Sequence, residues 1–392
     1  MNKSIYITAI IFLLFSFTDL YAQRSRENSR EKYHEDEYEK VETFKVSKGG
    51  TLKIDVNPGD VEINTWDKNE VYILVTDIDS DDSEGLKIRK SGNKIIVTYN
   101  SHWGWSDSDI SATVPKDFNL DIRSTSGDID VIGDVTGDVK AETSGGDITT
   151  YNVTGEVYLN TMGGDIKTGD IKGDLYLNTQ GGDIKIGLVS GGKRATINTM
   201  GGDIKITEIG TSLDVKTYGG DIRVGDINGE ANAVTYGGDI ILGNVKAGVD
   251  AETYGGNIKL ESANGEVKAS TYGGNLYLKK VKGSVSAKTN AGKVYVELDP
   301  EVNSRSLIRS NMGDIELLIP ANTKVTVDAE IKVRGWWKHA KDDYDIHSDF
   351  KATNYVQDED EKEVYGLYEI NGGGPIVKIK TTNSKIKIAK MK

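Results

Sequence analysis

The chain has 392 residues and a net charge of −13, from 61 acidic and 48 basic side chains. That balance argues against nucleic acid, whose binding wants a basic face. There is no cysteine, which excludes a disulfide framework, a lipid-modified thiol and thiolate metal sites.

Residues 1–22 read as a secretory signal peptide: Lys3 supplies the positive start, Ile5 to Phe17 a largely apolar run, and Ala22 the small residue at the cleavage position. The run is too short for a comfortable membrane span, and no second one follows. The expected location is therefore the periplasm, the cell surface or the medium, with no membrane-spanning segment left after cleavage. Residues 23–42 are almost wholly charged or polar and read as a flexible tether. Residues 43–122 are strand-rich but irregular and read as an N-terminal cap with degenerate coils. "VNPGDVEI" and "SGNKIIV" place Asp60 and Lys94 at equivalent coil positions, and "HWGW" at 102–105 is expected to cover the first coil edge.

From 123 to 328 a phrase of the form Gly-Gly-Asp-Ile recurs. Its Asp position, with replacements, falls at 128, 147, 165, 183, 203, 221, 239, 257, 275, 293 and 314. The usual interval of about 18 residues is a period that marks a stacked repeat. In "TYGGDIRVGDINGEANAV" (217–234) the apolar or small positions 222, 224, 227, 231, 233 and 235 point inward, and glycine corners separate short alternating segments. No segment has a helical period. The fold expected is all-β: a parallel β-solenoid of about 18 residues per coil. Eleven or twelve coils at about 4.8 Å would make a stack of roughly 50 Å. The unequal inward steps disfavour a left-handed hexapeptide helix, so the hand expected is right. The calcium-binding nonapeptide roll fails because Asp follows the Gly pair only once per period.

Stacking turns equivalent positions into columns. One is threonine: Thr143, Thr161, Thr179, Thr199, Thr217, Thr235, Thr253, Thr271 and Thr289. The next runs Ser144, Met162, Gln180, Met200, Tyr218, Tyr236, Tyr254, Tyr272 and Asn290. After the Gly pair comes the Asp column, which becomes Asn257, Asn275 and Lys293, flanked by Lys167, Lys185, Lys205, Arg223 and Lys259. Residues 329–392 are expected to hold an insertion or cap and a final coil, with "TTNSKIKI" repeating the coil grammar through Ser384 and Lys385.

"GDVEINTWDKNEVYI", "ATVPKDFNLDIRSTSGDI", the T-x-G-G-D-I coils and the closing "INGGGPIVKIKTTNSKIKI" resemble the putative adhesin family of bacterial β-strand-repeat proteins of unknown function. The resemblance spans about residues 41–390. It implies a secreted or surface β-solenoid and carries no catalytic residues with it.

Two columns invite chemistry. Tyr218, Tyr236, Tyr254 and Tyr272 could offer an aromatic strip to a glycan or an envelope protein, or could simply stack in support of the sheet. Asp165, Asp183, Asp203, Asp221 and Asp239 are where a calcium ion would go, but a carboxylate after glycine more commonly accepts backbone N–H bonds at a corner. The expectation is therefore no metal, no cofactor and no catalytic residue: an exported, non-enzymatic surface for adhesion or scaffolding. The alternative is a polysaccharide lyase or hydrolase with its site in the 335–365 insertion, where Asp342, Asp343 and Asp345 lie between His339 and His347.

Overall fold

The computed structural model describes residues 37–101, 108–334, 344–358, 360 and 362–391, all but the first of them within the compact unit Tyr38–Lys392. The signal peptide, the tether up to residue 36, "HWGW", His339, Asp342 and Asp343 lie outside the described residues.

The described residues form 36 strands joined in one hydrogen-bonded network, with a single short 3-10 helix at Ser80–Gly85. The all-β expectation holds, in a solenoid-like arrangement. One coil comprises Val157–Asn160, Ile166–Thr168 and Ile171–Lys172. Each segment pairs in parallel with its counterpart one period away: Val157 with Leu175, Ile148 with Ile166, Val153 with Ile171. The inward positions at 222, 224, 227, 231, 233 and 235 are all buried. A buried aliphatic side chain contributes about 1.5–3 kcal/mol, and each coil repeats the set.

Departures from the period are local. Leu175 pairs with Ala195, two residues late. Gly191 and Gly192, at φ 70° and 64°, take up the extra length in the left-handed region that glycine enters freely. A later insertion, between Pro300 and Arg305, puts Ser286 opposite Leu307.

The second glycine of each pair is held by sterics. A Cβ on Gly220 would lie 2.0 Å from the carbonyl oxygen of Gly202, and the same clash recurs from Gly146 to Gly313. The first glycine has more room: a Cβ on Gly219 would stand 3.1 Å from the Gly201 oxygen. The composition agrees, because Ser126, Ala291 and Met312 fill the first position, while Gly127, Gly292 and Gly313 keep the second.

Both ends depart from the parallel stack. Glu37–Lys45 is a strand that pairs with Glu70–Asp79, so residues 37–42 are ordered sheet rather than tether. Glu39, Lys40 and Glu42 put charge on this edge strand, where charge discourages further pairing. Asp60 joins the Asp column, since Val61 pairs with Ile129. Lys94 does not, because it pairs with Thr51 on another face. Glu70–Asp79 runs antiparallel to Asp109–Pro115, and Lys87–Ser91 antiparallel to Lys94–Asn100. These antiparallel pairings consume the residues whose spacing imitates two further periods. At the far end Ile386–Lys390 stacks in parallel on Ile315–Ile319, and Ile376–Thr382 on Arg305–Ser310. Thr381, Ser384 and Lys385 thereby occupy the coil positions of Ser310, Gly313 and Asp314. Between them, Val325–Lys332 pairs antiparallel with Glu363–Ile370, which pairs antiparallel with Asn354–Asp358.

The two glycine columns make a direct comparison. Gly220→Ala is expected to destabilise by about 3 kcal/mol or more, because backbone must shift. Gly219→Ala should cost only about 1 kcal/mol. Thermal melts of the two variants check the order, and equal losses would refute the steric account.

Candidate functional site

The polar groups of each corner are largely spent on the neighbouring coil. The hydroxyl of Thr235 donates to the carbonyl of Gly220 at 2.9 Å and accepts the N–H of Gly238 at 3.4 Å. The donation recurs in every coil from Ser124, to Gly59 at 2.7 Å, to Thr381, to Gly313 at 3.0 Å. The threonine column points inward and is buried, with its hydroxyls satisfied.

The Asp column follows a similar rule. The Asp128 N–H donates to Oδ1 of Asp60 at 2.8 Å, Asp183 to Asp165 at 2.8 Å, and Asp221 to Asp203 at 2.7 Å. The bond therefore runs from the next coil. Asn257 and Asn275 keep the acceptor, and Lys293 donates to Asn275 at 2.7 Å. An ammonium cannot accept, so the row stops at Lys293 and resumes where Lys385 donates to Asp314 at 3.0 Å. Four of the outer oxygens meet cations: Lys167 lies 3.9 and 3.8 Å from Asp147 and Asp165, and Arg223 lies 2.6 Å from Asp221 and 3.7 Å from Asp203. Among the described residues no group of three or more His, Cys, Asp or Glu side chains could hold a metal ion.

What the corners leave free is the column before the Gly pair. Tyr218, Tyr236, Tyr254 and Tyr272 are exposed, in line with Met162 and Met200. The rings of Tyr218, Tyr236 and Tyr254 stack at 4.9 and 5.0 Å with planes within 3°, a spacing dictated by the strands. Lys216 stands 4.8 Å over Tyr218. In this stack the ring faces are turned to one another, and edges and hydroxyls face solvent. Tyr272, at 65 % exposure, is the most open of the four and makes no ring stack among the described residues. A second pair, Tyr158 and Tyr176, stacks at 4.9 Å on a different face. Sequence reasoning passes it over, although "EVYLN" and "DLYLN" lie one period apart.

The Tyr column runs on through Asn290, Asn311 and Thr382 into an open groove of ≈ 530 Å³. Arg309, Lys380 and Glu330 lie side by side on three adjacent strands there. Lys380 and Lys332 both pair with Glu330, the latter at 3.4 Å. Burial raises the Glu330 carboxyl, but these two ammonium groups outweigh it and hold it below the usual range. Nothing in the local sequence marks this groove.

In the insertion, Asp345 accepts a hydrogen bond from the Tyr355 hydroxyl at 2.7 Å, and His347 Nδ1 lies 3.6 Å from the other carboxylate oxygen. Burial and Asp345 push the Tyr355 hydroxyl up to about 12. At the opposite end, Asp130 lies beside Glu62. Burial, and then the charges of Asp128, Glu62 and Asp60, raise its carboxyl against an opposing hydrogen bond from Thr149.

Residues 50–276 match the family model described as Toastrack DUF4097. No curated protein matches the chain. Among solved structures, a putative adhesin from Parabacteroides merdae is 12% identical, with 71% of this chain and 95% of that one covered at a TM-score of 0.29. A putative lipid binding protein from Parabacteroides distasonis is 16% identical, with 71% and 96% covered at 0.21. A putative adhesin from Bacteroides fragilis is 12% identical, with 71% and 97% covered at 0.23. Among the described residues no helix is long and apolar enough to cross a membrane.

Two substitutions test the polar columns. Thr235→Val keeps the shape but strands the Gly238 N–H and the Gly220 carbonyl, so a loss of about 1–3 kcal/mol is expected in denaturant unfolding. Asp130→Asn should stabilise. A raised carboxyl binds more protons folded than unfolded, so its stability contribution falls as pH rises through the window above 3.8. The variant should melt higher at pH 7, and the difference should vanish on acidification below that value. A variant that melts lower at pH 7 would contradict the sign.

Proposed function

We propose that this chain, which belongs to the Toastrack DUF4097 family, is an exported, non-enzymatic β-solenoid that presents a repeated surface for adhesion or scaffolding at the cell envelope. One observation carries the reading. The polar side chains that recur in each corner are bound to neighbouring coils, whereas the column that holds Met162, Met200 and the four tyrosines stays exposed. An ordered apolar and aromatic strip is the kind of surface that marks an interaction site. The partner we assign is a glycan or an envelope protein, met by Tyr218, Tyr236, Tyr254 and Tyr272.

We take the winding to be right-handed with about 18 residues per coil. The register supports the period, and the strong preference of parallel crossover connections supports the hand. The alternative, an enzyme with its site at 335–365, draws no support from the described part of that insertion. Asp345 is engaged by Tyr355, and the side chain of His347 is 84% exposed.

Replacing the four tyrosines by Ser is expected to weaken retention on a bacterial envelope fraction at least tenfold. Stacked aromatic pairs contribute about 0.5–1.5 kcal/mol each, so the melting temperature should fall only modestly. The four Phe replacements keep the stack and separate hydroxyl contacts from ring contacts. Undiminished retention in the Ser variant would remove the tyrosine strip from the proposal.

A further inference from the structure

The last described coils carry a local reversal of charge. The chain is net −13, yet Arg309, Lys332, Arg334 and Lys380 line the C-terminal groove against a single carboxylate, Glu330. Lys332 and Lys380 pair with Glu330. Arg309 spends only Nε, on Oδ1 of Asn311 at 3.1 Å. Asn383 fixes the Arg334 backbone from both sides, accepting its N–H at 2.7 Å and donating to its carbonyl at 3.0 Å. Among the described residues, neither guanidinium has a carboxylate partner.

The walls supply a second kind of chemistry. The column that is aromatic up to Tyr272 turns into Asn290, Asn311 and Thr382 where the groove opens, and Asn311 donates to Asn290 at 2.5 Å. Amides and a hydroxyl read sugar hydroxyls, a guanidinium fork reads a planar carboxylate, and an unstacked aromatic ring accepts the apolar face of a sugar. Tyr272 is that ring. Tyr236 is stacked on both sides, by Tyr218 and Tyr254, and Tyr218 also carries Lys216 over its ring. A volume of ≈ 530 Å³ falls inside the range of ligand clefts, about 300–1,000 Å³.

We infer that this groove binds the carboxylate groups of a uronic-acid-containing polysaccharide, with Arg309 and Arg334 holding the carboxylates and Tyr272 the adjoining sugar ring. The inference deepens the adhesion reading and rests on it, adding a selective contact at the end of the tyrosine column.

The test is titration of the full chain at physiological salt with alginate, polygalacturonate and hyaluronate. Dextran serves as the neutral control, and dextran sulfate and poly-glutamate as anionic controls. At least one uronate polymer should bind, dextran should not, and both anionic controls should bind at least tenfold more weakly. Arg309→Gln with Arg334→Gln should weaken uronate binding at least tenfold with an unchanged melting temperature. Arg309→Lys with Arg334→Lys, which keeps charge but loses the fork, should also weaken it. Tyr272→Ala should have a smaller effect, and Ser at 218, 236 and 254 almost none. The inference fails if no uronate polymer binds, if poly-glutamate binds as tightly, or if both double variants bind undiminished. Retention on the envelope fraction separates the two claims: if the wild type is retained while the uronate panel is silent, the groove assignment falls and the adhesion reading stands.

Discussion

The structure depends on one contact, repeated from Gly127 to Gly313. The second glycine of each pair comes so close to the glycine carbonyl of the coil before it that no Cβ fits, and a buried threonine or serine hydroxyl donates to that same carbonyl. Burying a carbonyl without a partner is costly, so the close approach needs the hydroxyl; in the final coil Ser384 replaces the glycine and Thr381 still donates to Gly313. The approach also brings the backbone N–H of the next residue to the carboxylate of the coil before. Gly, Thr and Asp are three parts of one corner. Their recurrence follows from backbone geometry and implies no repeated ligand.

A chain built this way is close to one-dimensional, each coil touching only its neighbours. Its ends would offer open sheet edges that template further pairing. At the N-terminal end the chain answers with the charged strand Glu37–Lys45 and antiparallel pairings. At the C-terminal end it leaves the stack after Ile315–Ile319, forms an antiparallel arm, and returns to lay Ile376–Lys390 on the coil it left. The cap and the final coil are thus one device.

Columns are legible because repetition writes the third dimension into the sequence: residues one period apart are neighbours in space. The inward set, the buried threonines and the final coil with Ser384 and Lys385 can all be read that way. Lys94 shows where the method stops. Its distance from Asp60 approximates two periods, but an antiparallel hairpin has no period, and the strand pairs elsewhere. The Asp bond reads as local because position i and its equivalent one coil later have the same identity, so a sequence does not distinguish a bond within a corner from one between corners. The groove is illegible for a different reason. Arg309 and Lys380 are remote in the chain, and only the return of the chain over its insertion makes them adjacent.

This contrast bears on where recognition can arise in such a fold. A strictly periodic stack makes straight rows on nearly flat faces, as the tyrosines show. Rows of identical weak contacts favour multivalent attachment, in which each added contact profits from those already made. They discriminate poorly, because every coil offers the same group and the stacked rings cover each other's faces. Concavity needs residues from outside the period. Here the aromatic column gives way to amides and the row of Asp acceptors breaks at Lys293. Beyond that break, cations from three non-consecutive strands converge beside Glu330. The corner bonds leave those side chains free to differ from coil to coil, and the concave surface accordingly arises where the repeat ends.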